Sequence, residues 1–404
     1  MNQTRAQLAL LALAYGLLLV YGTWFPLTDW DWSRGAPGAL LALELPAHSS
    51  RADLVLNLIV YMPFGLLLCA VLAGPVLLRP LLATLAGASL SLVLEVGQTY
   101  MPGRMSSPID LALNATGTLL GALVATSMLR LRLVRDLMAR LQASLREPGL
   151  GRLGLSALAL WALSQWVPFV PSLDIGNLRG GLAPLKATLV GAEPLAGARL
   201  ASYVLMLLGV GTVAVATLRP GWGRGSWLAA GLLGVLLLKV PILGRVLSSE
   251  ALLAVACVTP ALLLLQRQPV DRVRLLGVLA LVAFYCHGAL QPGAADFSPR
   301  SMNWVPLRGH IGSVHGVANL LETIWVFVAL AFLSAPRRPR GRWLLVLQGL
   351  AILAAVFALE WYQQFLPGRY ADVTDVLVAF AAWWMGMRWG IRAHRANSDS
   401  VNRP

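Results

Sequence analysis

Glu95, Gln98, Arg104 and Asp110 stand at the spacing E-x2-Q-x3-P-G-R-x5-D, and Glu360, Gln363, Arg369 and Asp375 repeat that spacing 265 residues later without a gap. A carboxylate three residues before an amide shares its face of a helix. The Pro-Gly pair that follows makes a tight turn in which glycine is free to take positive φ, and the arginine hangs in that turn. Ser106 or Ser107 is placed to cap the next helix, and Pro108 suits its first turn. Asp110 then falls where the helix dipole favours a carboxylate. Each hairpin tip so gathers an acid, an amide, a guanidinium and a second acid. The guanidinium can grip phosphate or carboxylate as a planar fork, the amide can donate or accept, and two carboxylates of separated pKa can act as general acid and base.

The repetition extends around the motif. Asn57 opens the apolar helix two ahead of the first tip, and Asn319 does the same for the second. Beyond Asp110, a stripe of Asn114, Gly117 and Gly121 runs down one helix face, and small residues in such a stripe let helices approach closely. The later copy keeps the small stripe as Ala379, Ala382 and Gly386 and loses the asparagine. Two readings stand side by side. In one, Glu95–Arg104–Asp110 and Glu360–Arg369–Asp375 are clasps that hold hairpins in register. In the other, these residues with Gln98, Gln363, Asn57, Asn114 and Asn319 line a polar pocket for an anionic headgroup or a lipid-linked sugar, in keeping with the usual role of ionisable groups in membrane segments.

Other chemistry-bearing residues read more plainly. His310 and His315 are poorly spaced for a shared metal and read as a solvated loop. His287 and Glu322 are placed to join the second polar cluster, although a lone histidine at a helix end suits a structural role. Gly180-Gly181 and the Gly221–Gly225 stretch follow no strand and do not read as a phosphate-cradling loop. Trp24, Trp30, Trp32, Trp304 and Tyr370 read as interfacial anchors. Cys69, Cys257 and Cys286 lie singly in apolar runs and read as packing residues. No metal or cofactor is expected.

The elements that must position these residues are membrane helices. The chain has 404 residues, 57% of them hydrophobic and only 12% charged, with a mean hydropathy of +0.70. A soluble domain carries about 25% charged residues, so a soluble enzyme, a disordered scaffold and a disulfide scaffold are excluded. The expected fold is all-α, a polytopic bundle of about twelve transmembrane helices near 8–25, 53–73, 80–98, 108–128, 153–171, 200–218, 227–244, 250–266, 273–290, 314–334, 343–364 and 373–391. With the N-terminus inside, the inner segments hold 21 cations against four acids, and the remaining segments hold 11 cations against 14 acids. That bias predicts an N-in, C-in orientation with both motif tips outside. It also accounts for the net charge of +14, with anionic membrane lipid rather than nucleic acid as the natural partner. The expected organisation is a four-helix unit over 1–130, a basic amphipathic cytoplasmic linker over 131–152, a middle four-helix unit over 153–270 that reads as a degenerate repeat, and a second copy over 271–404 with a basic tail. The middle unit retains Gly244-Arg245, followed by Glu250 at a helix start, but lacks the motif's Glu and Gln, with Lys239 nearby instead.

The set Asp53, Asn57-Leu-Ile-Val-Tyr-Met-Pro63-Phe-Gly65, then Glu95, Gln98, Pro102-Gly103-Arg104, Asp110, Asn114 and Gly117, resembles the VanZ-like family, named for a teicoplanin-resistance membrane protein. The resemblance covers about residues 10–128 and recurs over about 280–390, where Leu-Glu322-Thr-Ile-Trp-Val-Phe replaces Met-Pro-Phe-Gly and Ala379 replaces Asn114. It implies a bacterial inner-membrane protein acting on the cell envelope at the outer face, with glycopeptide tolerance through altered access to lipid-linked envelope precursors. An enzyme that modifies a lipid-linked glycan with paired carboxylates is the rival expectation, and a transporter built on duplicated helices the third.

Overall fold

The computed structural model describes residues 3–24, 30–33, 51–102, 106–130, 132–219, 221, 225–293, 301–307, 310, 314–336 and 342–401. Among them are fourteen α-helices: α1 (Gln3–Trp24), α2 (Arg51–Val71), α3 (Leu78–Gln98), α4 (Pro108–Arg130), α5 (Arg132–Ser144), α6 (Pro148–Gln165), α7 (Ile175–Leu189), α8 (Gly197–Thr217), α9 (Gly225–Leu237), α10 (Ser249–Leu265), α11 (Val270–Leu290), α12 (Val314–Ser334), α13 (Arg342–Gln363) and α14 (Val373–Val401). Among the described residues, six helical segments are long and apolar enough to cross a membrane: Leu78–Gln98, Pro108–Ser127, Gly197–Thr217, Val270–Leu290, Val314–Ser334 and Trp343–Gln363. Leu11–Trp24, Asn57–Val71, Ser226–Leu237 and Ser249–Leu265 are shorter apolar helical segments. The protein is a multi-pass membrane protein.

Two compact units divide the chain, one of residues 1–140 with 169–178 and one of residues 141–168 with 179–404. In the first, α2 and α4 meet backbone to backbone. A Cβ on Gly65 would strike the carbonyl of Thr118, one on Gly117 that of Leu58, and one on Gly121 that of Met62. The small-residue stripe read from the sequence therefore sits on this crossing. Leu19, Tyr61, Phe64 and Leu94 form one buried cluster, and Cys69, Ala83, Ala122 and Ala125 another.

The second unit has the larger core. The distal half of α8, Met206 to Thr217, is buried except for Leu208, and α12 contributes an unbroken buried run from Ala329 through Leu333. Trp325, Trp383 and Phe332 are its largest fully buried side chains. The segment after α5 is pinned by a short antiparallel bridge between Leu145 and Leu218, with Arg146 Nε donating to the carbonyl of Leu218 at 2.6 Å and Arg219 Nε to that of Leu145 at 2.8 Å.

One helix departs from the sequence expectation. Residues 175–189 form α7, although Gly180-Gly181, Pro184, Arg179 and Lys186 weaken any membrane-span signal. Its local cue is Asp174, whose Oδ2 accepts from the backbone N–H groups of Gly176 at 2.8 Å and Asn177 at 3.2 Å, satisfying donors that the helix start leaves unpaired.

Candidate functional site

In the first unit the described residues on either side of the tip are joined by hydrogen bonds, and residues 103–105 of the turn itself lie outside the described residues. Glu95 is buried in the last turn of α3, and its Oε2 accepts from the backbone N–H of Ser107 at 2.9 Å. Ser107 Oγ in turn accepts from the N–H of Ile109 at 3.2 Å, capping α4. Asn57 on α2 donates to Asp110 Oδ1 at 2.6 Å. Asn114, also buried, donates to Ser91 Oγ at 2.9 Å. Four of the sequence candidates thus tie α2, α3 and α4 together. Gln98 lies half-buried one turn beyond Glu95. Arg104 lies outside the described residues. Trp24 Nε1 donates to the carbonyl of Leu94 at 3.1 Å, and Trp24, Trp30, Trp32 and Tyr100 follow one another as ring contacts 5.1–5.8 Å between centroids.

The second tip repeats this wiring and opens onto a cavity of about 1180 Å³. Glu360 Oε2 accepts from the backbone N–H of Asp372 at 3.1 Å, over the same twelve-residue interval that separates Glu95 from Ser107. Asn319 donates to Asp375 Oδ2 at 2.8 Å, as Asn57 does to Asp110. Gln363 donates to Glu360 Oε1 at 3.4 Å. All five residues singled out in this copy, Asn319, Glu360, Gln363, Arg369 and Asp375, line the cavity.

Arg369 is committed differently from a free ligand grip. Its Nε donates to the carbonyl of Gln291 at 2.6 Å and its Nη2 to the carbonyl of Gly288, fastening the tip to the end of α11. Burial lowers its pKa, against the opposing pull of Glu360 and Glu322, and a guanidinium stays charged throughout the accessible pH range. Glu322 on α12 also lines the cavity. His287 does not join it, and its Nε2 lies 3.0 Å from the carbonyl of Ala198.

His310 overturns the solvated-loop reading. It is buried, with Nδ1 at 3.5 Å from Asp372 Oδ2 and Nε2 at 3.4 Å from Asp375 Oδ1. Burial acts to lower its pKa, but the hydrogen bond and charge of Asp375 and the charge of Asp372 outweigh it, and the net shift is upward. His315 remains exposed on the first turn of α12. The sequence reading also missed Asp372, which stands three residues after Arg369 just as Ser107 stands three after Arg104. It caps α14 through Thr374, whose N–H donates to Asp372 Oδ1 at 2.7 Å, and it accepts from Asn303 Nδ2 on Oδ2 at 2.7 Å. A capping residue at an equivalent position was the available signal.

The middle of the chain carries the same turn. Gly244 and Gly368 both take positive φ, +69° and +67°, and each precedes an arginine. Arg245 Nε donates to the carbonyl of Val167, 78 residues away, the interval at which Arg369 reaches Gln291. Ser248 caps α10, accepting from the N–H of Ala251 at 3.4 Å. With Gly-Arg aligned, Leu236, Lys239 and Ala251 stand where the motif has Glu, Gln and Asp. Arg245 lines a smaller cavity of about 270 Å³ with Arg199, Tyr203, Gln165, Ser202 and Glu322. Burial lowers the Arg245 pKa, opposed by Tyr203 and Glu322.

Residues 12–130 match the family model VanZ/LLP1. No curated protein and no solved structure matches the chain.

Proposed function

We propose, on the premise that residues 12–130 are a VanZ-like unit, that this multi-pass protein lies in the bacterial inner membrane. There it binds the polar head of a lipid-borne cell-envelope component at the outer face, and so confers tolerance to teicoplanin-type glycopeptides. The observation that carries the reading is the convergence of Asn319, Glu360, Gln363, Arg369 and Asp375 on one cavity of about 1180 Å³. Its lining holds four carboxylates, Glu322, Glu360, Asp372 and Asp375, around Arg369. Two of that arginine's nitrogens serve backbone carbonyls. The occupant therefore presents hydroxyl or amine donors to the acids and amides, as a sugar does, rather than a phosphate to Arg369.

The shared wiring of the two tips and the common Gly-Arg turn support three copies of one four-helix unit and hence twelve spans, and the excess of arginine in alternate loops supports an N-in, C-in orientation. In that arrangement the middle copy has kept the turn and, in Glu250, an acid at the start of the next helix, and has lost the motif's Glu and Gln. The test is a tolerance assay in a bacterial host. Glu360→Gln combined with Asp375→Asn is expected to abolish tolerance at unchanged membrane abundance, and full tolerance in that variant rejects the reading. Labelling of Tyr370→Cys, in a background lacking Cys69, Cys257 and Cys286, is expected from outside the cell; labelling only after permeabilisation rejects the orientation.

One observation favours an enzyme instead. His310 between Asp372 and Asp375 is the kind of charged relay that moves a proton. Lipid extracts that change in mass with the wild-type chain, and not with His310→Gln, would establish turnover.

A further inference from the structure

The two cavities of the second unit differ in charge, and Glu322 and Ala318 line both. The larger one is acid-rich. The smaller one is lined by two guanidinium groups, Arg199 and Arg245, against the single carboxylate of Glu322. Behind its Tyr203 lies buried Lys239, whose Nζ donates to the Tyr203 hydroxyl at 3.1 Å. Arg199 has a partial partner in Glu250 at 3.8 Å. Arg245 is held by its Nε bond to the carbonyl of Val167, and its Nη2 is buried with no hydrogen-bond partner among the described residues. A buried donor of a charged group left unmade is costly, and here it belongs to a residue that lines a cavity. At about 30 Å³ per water the 270 Å³ of this cavity holds about nine waters, enough for a hydrated oxyanion. Ser202 also lines the cavity and supplies a hydroxyl, while the amide nitrogen of Gln165 already donates to Ser164 Oγ and Met206 Sδ.

We infer that the smaller cavity is an anion subsite, and that the two cavities together take a phosphorylated, hydroxyl-rich ligand. Its phosphate sits at Arg245 and Arg199, and its hydroxyl-bearing part sits among Glu360, Gln363 and Asp375. Glu322, at the seam, accepts a hydroxyl next to the phosphate. The inference rests on the headgroup reading of the larger cavity and adds the charge and the polarity of the ligand's orientation.

The experiment uses the full chain in detergent micelles, titrated with glucose 1-phosphate, glucose and inorganic phosphate. Glucose 1-phosphate is expected to bind more tightly than either fragment. Arg245→Gln is expected to weaken it about 10- to 100-fold, the range of one charge-assisted hydrogen bond, while glucose binding stays the same. Because Arg245 also fastens a backbone carbonyl, Ser202→Phe, which fills the cavity and leaves that bond, is measured beside it and is expected to give the same loss. Unchanged glucose 1-phosphate affinity in Ser202→Phe overturns the subsite. If Glu360→Gln alone weakens binding, only the subsite has failed; if no variant does, the larger-cavity reading fails too. Repeating the titration in phosphatidylcholine nanodiscs with and without phosphatidylglycerol identifies the source. Competition by the glycerol-phosphate lipid marks a membrane headgroup, and its absence marks a free sugar phosphate.

Discussion

Arg369→Gln separates a clasp from a ligand grip. Arg369 makes two charge-assisted bonds to carbonyls of the α11 end, Gln291 through Nε and Gly288 through Nη2. Bonds of this kind contribute about 1.5–3 kcal/mol each, about 3–6 kcal/mol together. Arg369 is half-buried, so water replaces part of what is lost and about 2–4 kcal/mol is the expected cost. At about 2–4 °C per kcal/mol for a domain of about 150–250 residues, thermal unfolding followed by the loss of monodisperse protein should shift by about 4–16 °C. Arg369→Lys keeps the charge but cannot reach two carbonyls as a planar fork, and should recover less than half of the shift. A wild-type unfolding temperature in Arg369→Gln, with binding lost, would refute the clasp and return the arginine to the ligand.

Three further outcomes follow from the geometry. Gly117→Val drives a side chain into the carbonyl of Leu58 and should destabilise by about 1–3 kcal/mol or more, whereas Gly234→Ala, with nothing within 4 Å of the new Cβ, should stabilise by up to about 1 kcal/mol; equal effects in an unfolding titration would contradict the α2–α4 crossing. Glu95→Leu removes the acceptor for the Ser107 N–H and should cost about 1–3 kcal/mol, while Glu95→Gln keeps an oxygen there and should cost less. The folded pKa of His310 is raised above its ordinary 6.5 by Asp375 and Asp372, so its contribution to stability is complete below about pH 6.5 and is lost as pH rises through the folded value; unfolding temperature should decline over that alkaline interval, and His310→Gln should remove that decline.

What was legible beforehand divides along physical lines. Periodic apolar runs and caps are local, and they locate the helices and both hairpin tips. The fixed offsets from Glu95 to Asp110 and from Glu360 to Asp375 likewise announce which side chains share a turn. Asn57 and Asn319 were legible as repeated positions, although their partners Asp110 and Asp375 lie on other helices. Long-range contacts were not legible. Nothing in the spacing says that His310, 65 residues ahead of Asp375 in the chain, inserts between two carboxylates, because that depends on where a loop folds back. Nor does the sequence show that Arg369 spends its donors on carbonyls rather than on neighbouring acids. Helix α7 was hidden because the search signal was membrane-length hydropathy, and its glycines, proline and charges defeat that signal while Asp174 still caps it.

The middle copy, on the proposed threefold repetition, works as a natural deletion experiment. It has Leu236, Lys239 and Ala251 in place of the motif's Glu, Gln and Asp. Even so, Gly244 keeps its positive φ, Ser248 keeps its cap, and Arg245 reaches a carbonyl over the same 78-residue interval as Arg369. The turn, the cap and the arginine thus close a hairpin tip without the motif's Glu and Gln, while an acid stays in the first turn of the next helix as Glu250, one residue before the Asp position. A buried carboxylate carries a desolvation cost, which in the last copy is offset in part by the bonds of Glu360 to the Asp372 N–H and of Asp375 to Asn319. On the proposed function, what the cavity holds accounts for the rest. The clasp and the pocket, which the spacing alone left as rival accounts of one motif, become two functions of different residues within it. On the proposed function, the arginine holds the tip and the acids with the amides face the occupant. Transplanting Glu, Gln and Asp onto positions 236, 239 and 251 should leave the unfolding temperature within a few degrees of the parent if the tip closes without regard to them. A collapse of the fold would mean that acids and arginine form one interdependent clasp after all.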